Sequence, residues 1–243
     1  METTSFTSIK THSIIRRKRM NRIFVIGDIH GMYDKLISLL NKIIHNYKFS
    51  NDDTMVFVGD YIDRGNESFE VVDYLVNLNK EYENIIFLMG NHEDMLLNCV
   101  RNNIESYHSP CKLFMYNGGN KSIQNYKKNG YDLLKWKIPE SHKIFFQNLK
   151  LFYENDDIFI SHAGIRPNIS LDKQLKEDLL WIRDDFILSD KDFGKLIITG
   201  HTIFEEGPLV QNNKICIDTG AFLQDGHLTN LILPDLEFIN TKE

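Results

Sequence analysis

Asp28 and His30 stand two residues apart in Gly27-Asp-Ile-His-Gly31. In an extended loop alternate residues face the same way, so both can reach one ion. Asp60 opens a second polar stretch, Asn91 a third, and His162 and His201 follow two further apolar runs. Together the six offer two carboxylates, three imidazoles and one amide. That mixed oxygen and nitrogen set suits manganese, iron, zinc, cobalt or nickel, and is too rich in nitrogen for calcium or magnesium alone. Gly27, Gly59, Gly90 and Gly200 immediately precede candidate ligands, where the backbone must turn tightly. Taken singly, each residue has an ordinary explanation: an Asp-x-His caps a turn or is solvated, and a histidine after a strand sits in a core. The set becomes informative because every member falls at the end of an apolar run.

Those runs are the elements that must position the site. RIFVI (22–26), TMVFV (54–58), NIIFLM (84–89), IFI (158–160) and LIIT (196–199) are each followed by a loop rich in Gly, Asp, His or Asn. Continuous apolar runs of this length read as strands buried on both faces. Between the first three lie helical patterns, with Leu36, Leu39, Leu40, Ile43 and Ile44 on one stripe and Val71, Val72, Leu75 and Leu78 on another. Strand alternating with helix implies parallel strands with crossover helices, which bind ligands beyond their carboxyl ends. Five polar loops can therefore converge on one site. Residues 94–150 differ: helical segments joined by Asn117-Gly118-Gly119 read as an insertion that borders the site and shapes access. CIDTGA (216–221) and LTNLILP (228–234) read as strand, loop and strand, expected to close a second sheet.

In that order GDIHG, GDYIDRG, GNHE, HAG and GHT resemble the signature of the phosphoprotein-phosphatase branch of the calcineurin-like metallophosphoesterases. The likeness extends through DLLWIRDDF (178–186) and IDTGA (217–221), over residues 22–233, and is to small bacterial and phage-type Ser/Thr phosphatases. It implies an α/β fold, a four-layer αββα sandwich with two central mixed β-sheets and a helical insertion, with the site at its top edge. By position, Asp28, His30 and Asp60 would hold a first divalent ion, and Asp60, Asn91, His162 and His201 a second, so that Asp60 bridges. His92 would be the general acid, oriented by Asp63. Arg64 and Arg183, with Asn91, would bind the substrate phosphate.

Elementary chemistry agrees with those roles. Two divalent ions, expected to be manganese, outweigh the charge of Asp28, Asp60 and a bridging hydroxide, so the site attracts a phosphate dianion. Hydroxide is available near neutral pH because a metal lowers the pKa of bound water to about 7. A serine alkoxide is a poor leaving group that needs a proton, a task open to His92 beside Asn91. A guanidinium such as that of Arg64 can grip two phosphate oxygens at once. Asp63 could instead cap the following helix, and Asp184 and Asp185 could tie Arg183 into a structural network. The expected reaction is phosphomonoester hydrolysis, on phosphoserine or phosphothreonine of a protein or peptide. The alternative is hydrolysis of dinucleoside polyphosphates, of the diadenosine tetraphosphate type, or of other nucleotides. Asp63 and Glu93 lean toward the phosphoprotein, because the symmetrical tetraphosphate hydrolases tend to lack that aspartate and carry a different acid; the HAGI stretch leans toward the nucleotide.

The 243 residues are 42% hydrophobic and 26% charged, with a net charge of −6. They provide for one domain, expected over 20–236, with a disordered basic extension at 1–19 and a tail at 237–243. The acidic balance argues against nucleic-acid or membrane partners. Cys99, Cys111 and Cys216 form no CxxC pair and read as three free thiols of a reducing compartment, hence a cytoplasmic enzyme; a monomer is expected, though the sequence does not fix the oligomeric state.

Overall fold

The computed structural model describes residues 21–101 and 110–242; the basic extension expected at 1–19 lies outside them. The elements are β1 (Ile23–Ile26), α1 (Tyr33–Asn41), β2 (Thr54–Phe57), α2 (Ser68–Glu81), β3 (Ile85–Phe87), α3 (Asn91–Arg101), α4 (Pro110–Phe114), α5 (Asn120–Lys128), α6 (Glu140–Gln147), β4 (Phe152–Glu154), β5 (Ile158–Ser161), α7 (Lys176–Trp181), α8 (Asp184–Ile187), β6 (Leu196–Thr199), β7 (Leu209–Val210), β8 (Lys214–Cys216), β9 (Thr229–Leu233) and β10 (Glu237–Asn240). They form two five-stranded mixed sheets, β10-β9-β1-β2-β3 and β4-β5-β6-β8-β7. Each has a parallel centre, β1-β2-β3 and β5-β6-β8, flanked by antiparallel strands.

Side-chain alternation decides the layering, because successive residues of a strand face opposite sides. Val25, Val56 and Leu231 of the first sheet meet Ile158, Ile160, Ile198 and Ile215 of the second in a buried layer between the sheets. Phe24, Ile26, Met55 and Phe57 face the other way, onto Leu36, Leu39, Leu40, Val71 and Leu75 of α1 and α2. Phe159, Ile197 and Cys216 pack outward against Leu179 of α7 and Phe186 of α8. The layers are thus helix, sheet, sheet, helix, and the five apolar runs are buried on both faces as expected.

Several expectations need correction. CIDTGA and LTNLILP do not close one sheet: β8 joins the second, whereas β9 returns to pair antiparallel with β1. Every residue of β9 is buried, with Leu231 serving one layer and Ile232 the other, so its composition does not say which sheet it enters. The tail expected at 237–243 contains β10, which borders β9. Cys99 and Cys111 are not free thiols but a disulfide joining α3 to α4, with Cα atoms 4.4 Å apart; Cys216 is free and buried. The argument from three thiols to a reducing compartment therefore falls. Arg22, at the head of the first apolar run, is an anchor: its Nε and Nη2 grip Asp53 at 3.0 and 2.8 Å, and its guanidinium lies over Phe24. No helix among the described residues is long and apolar enough to cross a membrane.

Candidate active site

All five polar loops leave the carboxyl ends of strands, after β1, β2, β3, β5 and β6. Their meeting point is tight enough to bend the backbone. Eight non-glycine residues among those described have positive φ, and five of them are His30, Asp60, Asp63, Arg64 and His201. Conformations that cost of order 1–3 kcal/mol each concentrate where surrounding structure over-determines them, at functional sites. Gly90 is required by close approach, since a Cβ there would collide with Asp60 Oδ1.

Asp60 is the centre. Its Oδ2 lies 3.3 Å from His30 Nε2 and 3.9 Å from His92 Nε2, while Oδ1 lies 3.5 Å from His162 Nε2. Asn91 Oδ1 sits 2.9 Å from His162 Nε2 and 3.1 Å from His201 Nδ1. Two donor groups share Asp60, one with His30 and His92, the other with His162 and His201. On the first side His92, not Asp28, completes the cluster; both Asp28 oxygens accept from the His201 backbone N–H, at 3.1 and 3.3 Å.

The imidazoles are prepared as ligands. Nδ1–H of His30 donates to the Ile62 carbonyl (2.9 Å) and that of His162 to the Val58 carbonyl (3.0 Å), leaving each Nε2 lone pair facing inward. Burial lowers the pKa of His30 and His162 and takes that of His201 down to about 2, so these rings are neutral. Burial, then the neighbouring Asp218 and Asp60, raises Asp28 well above the ordinary carboxylate range, and burial pushes Asp218 up to about 6. Burial would raise Asp60 too, but charge on His162 or His92, whenever either ring is protonated, outweighs it and lowers this carboxyl. Buried His201 Nε2 and Asp218 Oδ2 have no hydrogen-bond partner. Neutral rings, crowded carboxylates and unsatisfied inward-facing atoms fit a pair of cations.

His92 is fully buried and its Nδ1 lies 2.7 Å from Asp63 Oδ2. Burial opposes a charge on this ring, but Asp60 and Asp63 together outweigh it and hold its pKa above the ordinary value. Asp63 does not cap α2 through its side chain; Ser122 of α5 donates to its Oδ1 at 2.5 Å. The insertion therefore reaches into the site. Gly118, in the Asn117-Gly118-Gly119 turn, brings its carbonyl within 3.5 Å of the Arg64 backbone N–H, at φ +100°. Arg64 lies over the Phe222 ring at 4.5 Å and donates to His30 Nε2 at 3.0 Å. Arg183 is exposed and donates to the His201 carbonyl at 3.1 Å; Asp185 pairs with Arg166 instead, leaving Arg183 outside that network.

Residues beyond the expected ligands, acid and phosphate-binding groups complete the site. Glu93 accepts from the backbone N–H groups of Asp60 (2.9 Å), Tyr61 (2.9 Å) and Gly90 (3.0 Å), fastening the second and third loops together. Lys35 Nζ donates to the carbonyls of Ala221 and Gly226, at 2.7 Å each, and pins the loop that carries Asp218 and Phe222. Asp218 and Glu93 had a sequence signal, in the IDTGA and GNHE matches; Lys35 and Phe222 had none.

The calcineurin-like phosphoesterase family pattern matches residues 21–228. The chain belongs to this family. Its members are hydrolases of phosphate esters, and the family implies a divalent metal centre. The bis(5'-nucleosyl)-tetraphosphatase PrpE [asymmetrical] of Oceanobacillus iheyensis is 32% identical over 240 residues, covering 90% of this chain and 91% of that protein. The serine/threonine-protein phosphatase rdgC of Drosophila melanogaster is 40% identical over 78 residues, 32% of this chain and 11% of its own. The cold-active protein-tyrosine phosphatase of a Shewanella species shares the fold, with a TM-score of 0.60 at 20% identity, over 91% of this chain and 77% of that one.

Proposed function

We propose that this phosphoesterase hydrolyses dinucleoside tetraphosphates asymmetrically, releasing a nucleoside monophosphate and a triphosphate. The observation that carries this reading is the end-to-end likeness to the Oceanobacillus iheyensis tetraphosphatase. It reverses the order of the two expectations drawn from the sequence. Glu93 and Asp63 favoured a phosphoprotein there, but Glu93 spends its oxygens on backbone N–H groups and Asp63 on His92 and Ser122. Glu93 thereby holds loops together and has no oxygen turned to a substrate.

In this reading Asp28, His30, Asp60, Asn91, His162 and His201 hold two divalent ions. When bound, such ions supply Lewis-acid charge and an activated water. Arg64 and Arg183 grip phosphate oxygens bidentately. His92 would offer a proton from Nε2 to any leaving oxygen that needs one, and Asp63 would hold the ring by Nδ1. A second reading, phosphoserine or phosphothreonine hydrolysis, is favoured by that His92–Asp63 pair, because an alkoxide needs a proton far more than a nucleotide phosphate does.

The test is side-by-side kinetics on diadenosine tetraphosphate, a phosphoserine peptide and a phosphotyrosine peptide, with manganese restored after chelation. The expected result is the highest kcat/KM on the dinucleotide, with AMP and ATP as products. Two molecules of ADP, or a higher kcat/KM on either peptide, would refute the assignment.

A further inference from the structure

A cavity of about 520 Å³ opens beside the cluster of imidazoles, lined by Asp94, Leu113, Lys176, Glu177, Leu180 and Trp181. It adjoins the site on two sides. The Trp181 ring stands edge-on to His201, with centroids 6.2 Å apart, and Asp94 lies one helical turn beyond Asn91 on α3. Lys176 Nζ meets Asp94 Oδ1 at 2.5 Å and ties α7 to α3. Leu113 of α4 is 51% exposed, an apolar side chain left in solvent where it lines the same cavity as a half-buried tryptophan.

We infer that this cavity seats the nucleoside nearest the scissile phosphate, with its base against Trp181 and Leu113. The inference rests on the dinucleotide reading above and adds to it where the base goes. Unequal cleavage of a tetraphosphate breaks the bridge between the first and second phosphates from one end. One nucleoside must then lie only one or two phosphates from the ions, so its subsite has to abut the metal cluster. Among the described cavities this one is walled by a residue in ring contact with a candidate ligand. Its volume lies within the ~300–1,000 Å³ of small-molecule sites. An indole is a good stacking surface for any base, and Glu177 at the rim can accept from an exocyclic amine.

The experiment compares wild type, Leu113→Glu and Trp181→Leu on diadenosine tetraphosphate and on glycerol 2-phosphate, which has no base. Each variant is expected to lower kcat/KM on the dinucleotide about tenfold more than on glycerol 2-phosphate, chiefly through KM, as for the loss of one base–aromatic stack. AMP added to the chelated protein is expected to quench tryptophan fluorescence, and Trp181→Leu to remove that quenching. Equal effects on both substrates, with quenching intact in Trp181→Leu, would overturn the subsite and leave the substrate reading standing. A wild type that hydrolyses glycerol 2-phosphate but not the dinucleotide would overturn both. Leu113 is half exposed, so its substitution tests the idea without burdening the core.

Discussion

Asp63→Asn separates the role of the proton from the role of the metals. Asp63 Oδ1 is committed to the Ser122 hydroxyl at 2.5 Å, so an asparagine keeps its oxygen there and turns its NH₂ toward His92 Nδ1, where a carboxylate oxygen stood at 2.7 Å. A donor facing Nδ1 disfavours the imidazolium, because the Nδ1–H which that form carries would meet the amide's own hydrogen. His92 is fully buried. Its ability to protonate a leaving group is therefore weakened. General acid help is worth about 10²–10⁴-fold, so kcat on a phosphoserine peptide should fall at least ~100-fold. A nucleotide phosphate leaves with little need of a proton, so the loss on diadenosine tetraphosphate should stay below about threefold. Metal content, read by elemental analysis, should not change. Equal losses on the two substrates, or loss of metal, would refute the assignment of His92 as acid and Asp63 as its orienter.

Asp60→Asn should release metal from both halves of the site and abolish nearly all activity, since Asp60 is common to the two donor clusters; activity within about tenfold of wild type, beyond what loss of one cation clamp permits, would contradict the bridging role. Arg64→Ala should raise KM for phosphate substrates by about 10-fold, the worth of a charged hydrogen-bonding pair, and unchanged KM and kcat would show the guanidinium idle. Burial lowers the pKa of His142, whose Nδ1 lies 3.0 Å from the Tyr126 hydroxyl. The unfolded chain thus binds a proton more readily than the folded one: this contribution is complete above the free-imidazole pKa and is lost as pH falls below it toward the lowered folded value. Thermal melts of the metal-free protein between pH 7.5 and 5.5, ~1 unit either side of that free value, should show a steeper acid loss for wild type than for His142→Asn. Parallel melting curves would dismiss the effect.

The sequence disclosed those parts of the site whose chemistry is written in residue type and local spacing. Asp28, His30, Asp60, Asn91, His162 and His201 each follow an apolar run, and the strand alternation that buries Val25 and Val56 on one side and Phe24 and Phe57 on the other was legible with them. What stayed hidden depends on pairings between distant segments. Lys35 looks like any surface lysine of a helix, until its amine meets carbonyls 186 and 191 residues away. Phe222 reads as a loop aromatic, although it supports Arg64. Ser122 lies in the insertion, the region with least family signal, yet fixes Asp63. The Cys99–Cys111 bridge needs two helices to lie side by side, which a separation of 12 residues does not announce. The leaning toward a phosphoprotein rested in part on Glu93, whose hydrogen-bond partners are all main-chain amides.

Glu93 also governs how the centre behaves when the protein breathes. It grows from the same first turn as Asn91 and His92 while clasping the strand exit that bears Asp60. Asp60, Asn91 and His92 thereby ride on a single bracket. A displacement of the α3 start therefore carries the β2 exit with it, and the spacing among Asp60, Asn91 and His92 is kept.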